Sequence, residues 1–487
     1  MFLTGEFAYK IKKPLRLPFL NFSSLERRHH FCEEEVRLNR RLAPEIYVGV
    51  IPIGGSKAHP VLDTQPAIEY AVKMREFPSA ARLDRCIATG FIDPADILEF
   101  AELIGVFHAK LPPALVDSAI GSAANVRAMV EKNLKETAEA SPGRLPPEGA
   151  VHTHLLKRGH ELDTVLRERK RGGAIREGHG DLHLENLIYW RGKILPFDAL
   201  EFDPSLRYID VVDETAFFAM DLIAHGRSDL AYIFLTRYLE VTGDYAGLAV
   251  LNYFMIHRAL VRAKVRAIKA SQSNREQLGT TVDPYLTLAE QLTEFRRPVL
   301  IITRGFSGSG KTTLTERLIP GLPALRVRSD IERKRLAGLA ERQCSHSDIG
   351  GGIYSADLSE ATYAKLASCA ETGLRGGLNM IVDAAFLSAE QRQRFMNLAI
   401  RVDAEFLILD CRASVGTLRQ RIAAREARAG DASEATVDVL AYQLTTSDEL
   451  TPPERERAIR VDTEVPGATE NTLAQIRAFA FTAGDRR

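Results

Sequence analysis

Apolar residues recur along this chain with two periods, and the chain divides where the period changes. To about Pro78, alternation sets short β-rich segments: Phe7-Ala8-Tyr9-Lys10-Ile11, residues 47–53 and residues 69–74. Between the first two, Ser24 is placed to cap a helix through Val36, Leu38 and Leu42, which must end before Pro44. From there to about Glu290 helical spacing dominates, as over residues 96–108 and 213–224. Arg191-Gly192 splits the apolar runs 187–190 and 193–197, which is a hairpin signal. A polar stretch from Ser271 to Pro298 then marks a boundary. Beyond it, continuous apolar runs at 299–303, 325–328, 380–382 and 406–409 alternate with helical segments. Such runs predict a parallel sheet buried on both faces. The pattern therefore predicts two domains: an α+β domain over residues 1–290 and an α/β domain over residues 298–487. The Ala- and Arg-rich segments near the C-terminus read as solvated helix.

The second domain carries the more specific chemical signal. The run 299–303 leads into Gly305-Phe306-Ser307-Gly308-Ser309-Gly310-Lys311-Thr312-Thr313, and a helical segment follows. This is GxxxxGK[ST] in its strand–loop–helix setting. Glycines let the backbone wrap a phosphate with its N–H groups pointing inward, and the helix N-terminus adds positive potential. Lys311 is expected at the β/γ-phosphates and Thr312 at Mg²⁺. Asp383 ends the run 380–382, where a metal-binding carboxylate belongs; it also suits the start of a loop. Asp330 can take a proton from an attacking hydroxyl, and Arg333 can hold acceptor or phosphate charge. The same residues also suit a helix N-cap at Ser329 or Asp330 followed by a basic turn.

These motifs resemble the P-loop small-molecule and nucleic-acid kinases, which include gluconate kinase, chloramphenicol phosphotransferase, zeta toxins and polynucleotide 5′-kinase. The resemblance implies that Asp330 and Arg333 face the acceptor. It also implies that the helix containing Arg421 and Arg425 is a lid over the nucleotide. Four apart, those arginines share a helix face, which also suits a solvated basic surface.

In the first domain, Gly178-His179-Gly180-Asp181 is followed by Asn186 and, past the hairpin, Asp198. An Asp on a loop can orient an acceptor hydroxyl, an Asn five residues on can reach a metal, and a later Asp can bind the Mg²⁺ that bridges phosphates. The set resembles the aminoglycoside phosphotransferase and choline kinase family, which implies a two-lobed protein-kinase-like fold. By that resemblance Asp181 is the catalytic base, Asn186 and Asp198 are metal ligands, and Lys10 binds phosphate with Glu34 or Glu35 as its ion-pair partner. Lys12 points to the same face of its strand as Lys10. Lys73 reads as structural. Asp210 or Asp213 is expected to cap a helix and brace the Asp181 loop, and His179 to hold that loop by hydrogen bonds. Asp198 is followed by Ala199-Leu200-Glu201 where the family has a glycine-containing turn.

Composition narrows the function classes. The 45% hydrophobic and 26% charged fractions are those of a globular chain. Lys+Arg and Asp+Glu both number 64, so there is no overall positive field for nucleic acid or an anionic membrane. Cysteines at 32, 86, 344, 369 and 411 form no CxxC pair and read as reduced thiols. The start lacks a signal-peptide pattern and no run reaches the ~18 apolar residues of a membrane span. A cytoplasmic location is expected. The whole arrangement resembles bacterial fusions of an aminoglycoside phosphotransferase-like domain with a P-loop kinase domain. The implied activity is transfer of phosphate from ATP or GTP, with Mg²⁺, to a hydroxyl of a small molecule. The alternatives are a P-loop kinase regulated by a non-catalytic kinase-like domain and a nucleic-acid 5′-end kinase, the latter disfavoured by the charge balance.

Overall fold

The structure, a computed structural model, describes residues 1–17, 20–146, 148–272, 283–294, 296–345, 351–428 and 432–484. Residues 273–282 and 295 of the expected boundary stretch lie outside them. The chain forms two compact units, Met1–Arg227 with Tyr253–Thr293, and Ser228–Asn252 with Glu294–Arg487. The division differs from the sequence reading in one segment. Residues 228–252 belong to the second unit, because Leu230, Phe234, Tyr238 and Tyr245 bury their apolar surface there. Helical spacing identifies such a segment as amphipathic and does not say which core it covers.

The first unit opens with a five-stranded antiparallel sheet of Phe2–Leu3, Phe7–Ile11, Glu69–Arg75, Tyr47–Gly55 and Pro60–Leu62, in that spatial order. Tyr9 pairs with Lys73 and Lys10 with Val72. The helix Leu25–Asn39, capped by Ser24 through the Arg27 amide, packs Cys32 and Val36 against Ala8, Val72 and Met74. The expected hairpin forms between Leu187–Trp190 and Lys193–Pro196. Arg191 and Gly192 take φ of 50° and 81°, the left-handed pair a two-residue hairpin turn requires. Helices make up most of the remainder, including Pro94–Lys110 and Val211–Ala224.

The second unit is a five-stranded parallel sheet in the order Ala324–Arg328, Asn379–Asp383, Val299–Arg304, Glu405–Arg412, Ala458–Asp462. Every residue of Val299–Arg304 is buried, as its unbroken apolar run requires. The fifth strand was not expected. It lies at the sheet edge, so only Ile459 and Val461 are buried while Arg460 and Asp462 face out, and its charges mask it. The first strand lies between the third and the fourth, so connections leave it in both directions and open a crevice at the carboxyl ends of the strands.

Arg392 ties the segment that follows the strand Asn379–Asp383 to residues 449–454. It is fully buried in the helix Ala389–Arg401 and pairs with Glu454 at 2.7 Å. It also donates to the carbonyls of Phe386 and Leu387 (both 3.1 Å) and Glu449 (2.9 Å). Phe386 itself adopts φ of 48° at a fully buried position. Removing one partner of a buried ion pair leaves the other charge uncompensated. Arg392→Leu is therefore expected to lower the stability of the second unit by roughly 3–5 kcal/mol, read from its denaturant midpoint by circular dichroism.

Candidate phosphate and acceptor sites

The loop between the strand Val299–Arg304 and the helix Lys311–Leu318 passes very close to its surroundings. A Cβ at Gly305 would lie 2.5 Å from the Cys411 carbonyl oxygen, and one at Gly308 would lie 2.7 Å from that of Leu418. Only glycine fits this path. Gly310, at φ of 81°, precedes the helix that starts at Lys311. Lys311 Nζ donates to the carbonyls of Gly305 and Phe306, each at 2.8 Å. Burial lowers its pKa, while the Asp383 and Asp330 carboxylates oppose the shift, so these acids share its surroundings.

Other residues brace the loop from outside. Thr463 Oγ1 donates to the Ser309 carbonyl (2.9 Å), and Gln443 Oε1 accepts from the Ser307 amide (2.8 Å). Arg421 donates to Thr463 Oγ1 (2.8 Å) and to the Gly308 carbonyl (3.3 Å), so it stands against the loop. Arg425 donates to the Ala435 carbonyl at 2.5 Å. Phe306 packs on Leu418, Ile422 and Leu440. The sequence reading had singled out neither Thr463 nor Gln443. Both lie far along the chain, and a lone Thr or Gln carries no motif.

Thr312 stands half-buried in the first helical turn, followed there by Thr313. Asp383 ends its strand buried, with Oδ2 accepting from Thr315 Oγ1 at 3.4 Å. A glycine cradle that excludes side chains, a Lys at the helix start, and a hydroxyl and carboxylate beside it form a donor set that fits a nucleotide phosphate with Mg²⁺. Asp330 and Arg333 sit on the next helix, Ser329–Leu336. Arg333 lies over the Tyr354 ring at 5.0 Å, and its buried Nε has no hydrogen-bond partner among the described residues. Burial first, then Asp330, raises the Tyr354 hydroxyl pKa to about 12, with Arg333 opposing.

In the first unit the loop 178–186 is held by charge from beneath. Glu214, in the first turn of Val211–Ala224, accepts from the amides of His179 (2.6 Å) and Gly180 (2.7 Å) and bonds His108 Nε2 (2.6 Å). Arg258 binds Asp213 at 2.7 and 2.8 Å and donates to the Gly180 carbonyl at 3.3 Å. Asp210 instead caps the helix through the Val212 amide and pairs with Arg169. The brace is thus Asp213 through Arg258 together with Glu214, which the sequence reading missed. An acid at the start of an otherwise apolar helix was the available signal. His179 Nδ1 accepts from the Asp181 amide (3.3 Å), while its Nε2 meets the Phe197 carbonyl (3.0 Å). Burial lowers its pKa, with nearby Glu214 and Asp181 opposing.

Asp181 Oδ2 accepts from Asn186 Nδ2 at 2.7 Å and lies 3.3 Å from His183 Nε2. Burial alone would raise the Asp181 pKa, but His183, His179 and Arg258 outweigh it and hold it at about 2. Asp198 adopts φ of 64° and pairs with Lys10 at 2.5 Å. Lys10 also meets Glu35 Oε1 at 2.9 Å, while Lys12 takes Glu35 Oε2 at 2.7 Å and reaches Glu201. Of the two candidate acids, Glu35 is therefore the partner, and Glu34 pairs with Arg37. Burial disfavours charge on Lys10, but Glu35 and Asp198 prevail and raise its pKa. Lys73 Nζ lies 4.0 Å from the centre of the Phe7 ring.

Strand, glycine loop and helix together define a P-loop nucleotide-binding domain. A protein family described as an AAA domain matches residues 300–450. Uncharacterized proteins of Mycobacterium tuberculosis and Mycobacterium bovis are 29% identical over 450 residues, covering 90% of this chain and 86% of theirs. Among solved structures, a sugar kinase from a Janibacter species aligns at 20% identity over 37% of this chain and 95% of its own, with a TM-score of 0.28. A gluconokinase from Sinorhizobium meliloti aligns at 18% identity over 39% and 98%, also with a TM-score of 0.28. Among the described residues, no helix is long and apolar enough to cross a membrane.

The Glu214 brace sets a pH dependence. Burial opposes its charge, yet His108, His179 and the Gly180 amide bring its pKa from an ordinary 4.5 to about 2. A depressed carboxylate stabilises the fold above its unfolded pKa, and that contribution is lost as pH falls through the folded value. The first unit is expected to lose on the order of 3 kcal/mol between about pH 4.5 and pH 2, with Asp181 acting in the same direction. Urea unfolding followed by the fluorescence of Trp190, the single tryptophan, measures this, and Glu214→Gln should flatten the profile.

Proposed function

We propose that the second unit is a nucleoside-triphosphate-dependent phosphotransferase acting on a hydroxyl group of a small molecule. The observation that carries this reading is the glycine loop that leads into the helix starting at Lys311, with Asp383 at the end of the neighbouring strand and Asp330 just past the end of the next. The loop amides of residues 305–311 and Lys311 hold the β- and γ-phosphates. Thr312 and Asp383 would hold Mg²⁺, which would neutralise phosphate charge when bound. Asp330 accepts the proton of the acceptor hydroxyl as its oxygen forms a bond to the γ-phosphorus and the bond to the β,γ-bridging oxygen breaks. Arg333 balances charge on the acceptor side. Arg421 keeps the loop in its wrapped shape, and Arg425 supports the segment at Ala435.

We further propose that the first unit is a second site of the same chemistry. The Lys10–Glu35 pair, the Asp181–Asn186 contact and the left-handed Asp198 support it. Lys10 is already protonated and aimed at Asp198, so a phosphate arriving with Mg²⁺ meets a fixed cation. Glu201, in the segment that departs from the family, forms a buried pair with Lys12.

The test is turnover of ATP and GTP by the full chain with Mg²⁺ and a pool of sugars, aminoglycosides and nucleosides. Lys311→Ala should abolish one product, and Asp330→Asn should slow the same product by about 10²–10⁴-fold, the usual contribution of a positioned proton acceptor. Asp181→Asn should remove a different product. If Lys311→Ala leaves every product unchanged, the second unit is not the kinase. If Asp181→Asn changes nothing, the first unit serves binding or regulation.

A further inference from the structure

The helix Ser228–Thr242 packs against the strand Ala324–Arg328, bringing a segment from the middle of the chain under the P-loop. Its Glu240 is 4% exposed, and so is Arg326. Glu240 Oε1 accepts from Arg326 Nη2 at 2.8 Å and Nε at 3.2 Å. The remaining nitrogen, Nη1, donates to Thr315 Oγ1 (3.1 Å) and the Thr312 carbonyl (3.4 Å). Thr315, fully buried, faces Asp383 Oδ2 at 3.4 Å. A continuous polar path thus runs from Glu240 through Arg326 and Thr315 to Asp383, beneath the helical turn that carries Thr312.

The charges around this path leave Glu240 a specific role. Arg326 and Arg328 are both buried on one strand. Arg328 feels Glu240, Asp383, Asp330 and Glu316. Arg237 lies 3.3 Å from Glu240 Oε2, and Glu316, 3.6 Å from Arg326, is half exposed. Arg335 reaches the Glu240 carbonyl and pairs with Glu332. Without the Glu240 charge, Arg326 would be a buried cation whose nearest deeply buried carboxylate along the path is Asp383. It would then compete with a cation at Asp383, because like charges repel strongly where water does not screen them.

We propose that Glu240 is a positioning residue for the metal half of the phosphate site: it neutralises Arg326, so that Asp383 stays available to Mg²⁺. This deepens the kinase reading of the second unit and rests on it. The segment 228–252 is then a functional part of the P-loop domain.

The experiment is calorimetric titration of ADP into the full chain, with and without Mg²⁺, counting as P-loop binding only what Lys311→Ala removes. Thermal melts check folding of each variant. In Glu240→Gln, the Mg²⁺ concentration at half-effect should rise roughly tenfold, while Mg²⁺-free ADP binding stays equal or tightens, since positive charge near the phosphates has increased. The double variant Glu240→Gln with Arg326→Gln removes both charges and should restore the Mg²⁺ response. A half-effect within twofold of wild type overturns the proposal. So does parallel weakening with and without Mg²⁺, which marks a purely structural role, or failure of the double variant to recover. If the wild-type chain has no binding that Lys311→Ala removes, the underlying kinase reading fails instead.

Discussion

The closeness of the backbone at residues 305–310 is the constraint from which the second unit follows. Cβ positions at Gly305 and Gly308 would fall within 2.7 Å of carbonyl oxygens on the Glu405–Arg412 strand and the following helix. The loop can turn its amides inward only if those neighbours stay in place. The parallel sheet, whose central strand Val299–Arg304 is fully buried, supplies that rigidity, since the strand cannot shift without opening the core. Thr463 and Arg421 also pin the loop, through the Ser309 and Gly308 carbonyls.

On the proposed reading, the two units meet a similar demand by different means. In the second, backbone amides at a helix N-terminus present positive potential to phosphate. In the first, the cation is a side chain, Lys10, whose position depends on Glu35, a carboxylate with no exposed surface. Burying a carboxylate is costly unless charge and hydrogen bonds compensate it. Glu35 has two lysines, and Glu214 has two amides and a histidine. In each case the compensated acid fixes a neighbouring functional group: Lys10 for Glu35, the Asp181 loop for Glu214.

The elements that carry a local period were legible in the sequence. The four apolar strands of the second unit, the P-loop with its following helix and the Arg191-Gly192 hairpin all form close to where the pattern placed them. The edge strand Ala458–Asp462 escaped, because half of it faces water and its charged residues hide the alternation. Segment 228–252 was assigned to the wrong unit for a related reason: its apolar stripe specifies burial without specifying a partner.

The sequence by itself determined the path of the loop 305–310, because only glycine fits at Gly305 and Gly308. It also supplied Asp181, Asn186, Asp198, Asp330 and Asp383 as candidates, since their residue types are ones that can hold a metal or a proton. Tertiary structure alone decided which charges compensate which: Glu35 over Glu34, Glu214 beneath the Asp181 loop, and Glu240 beside Arg326 across 86 positions of chain. Such pairings depend on distances in space, and no period along the chain encodes a distance between residues that folding brings together from far apart.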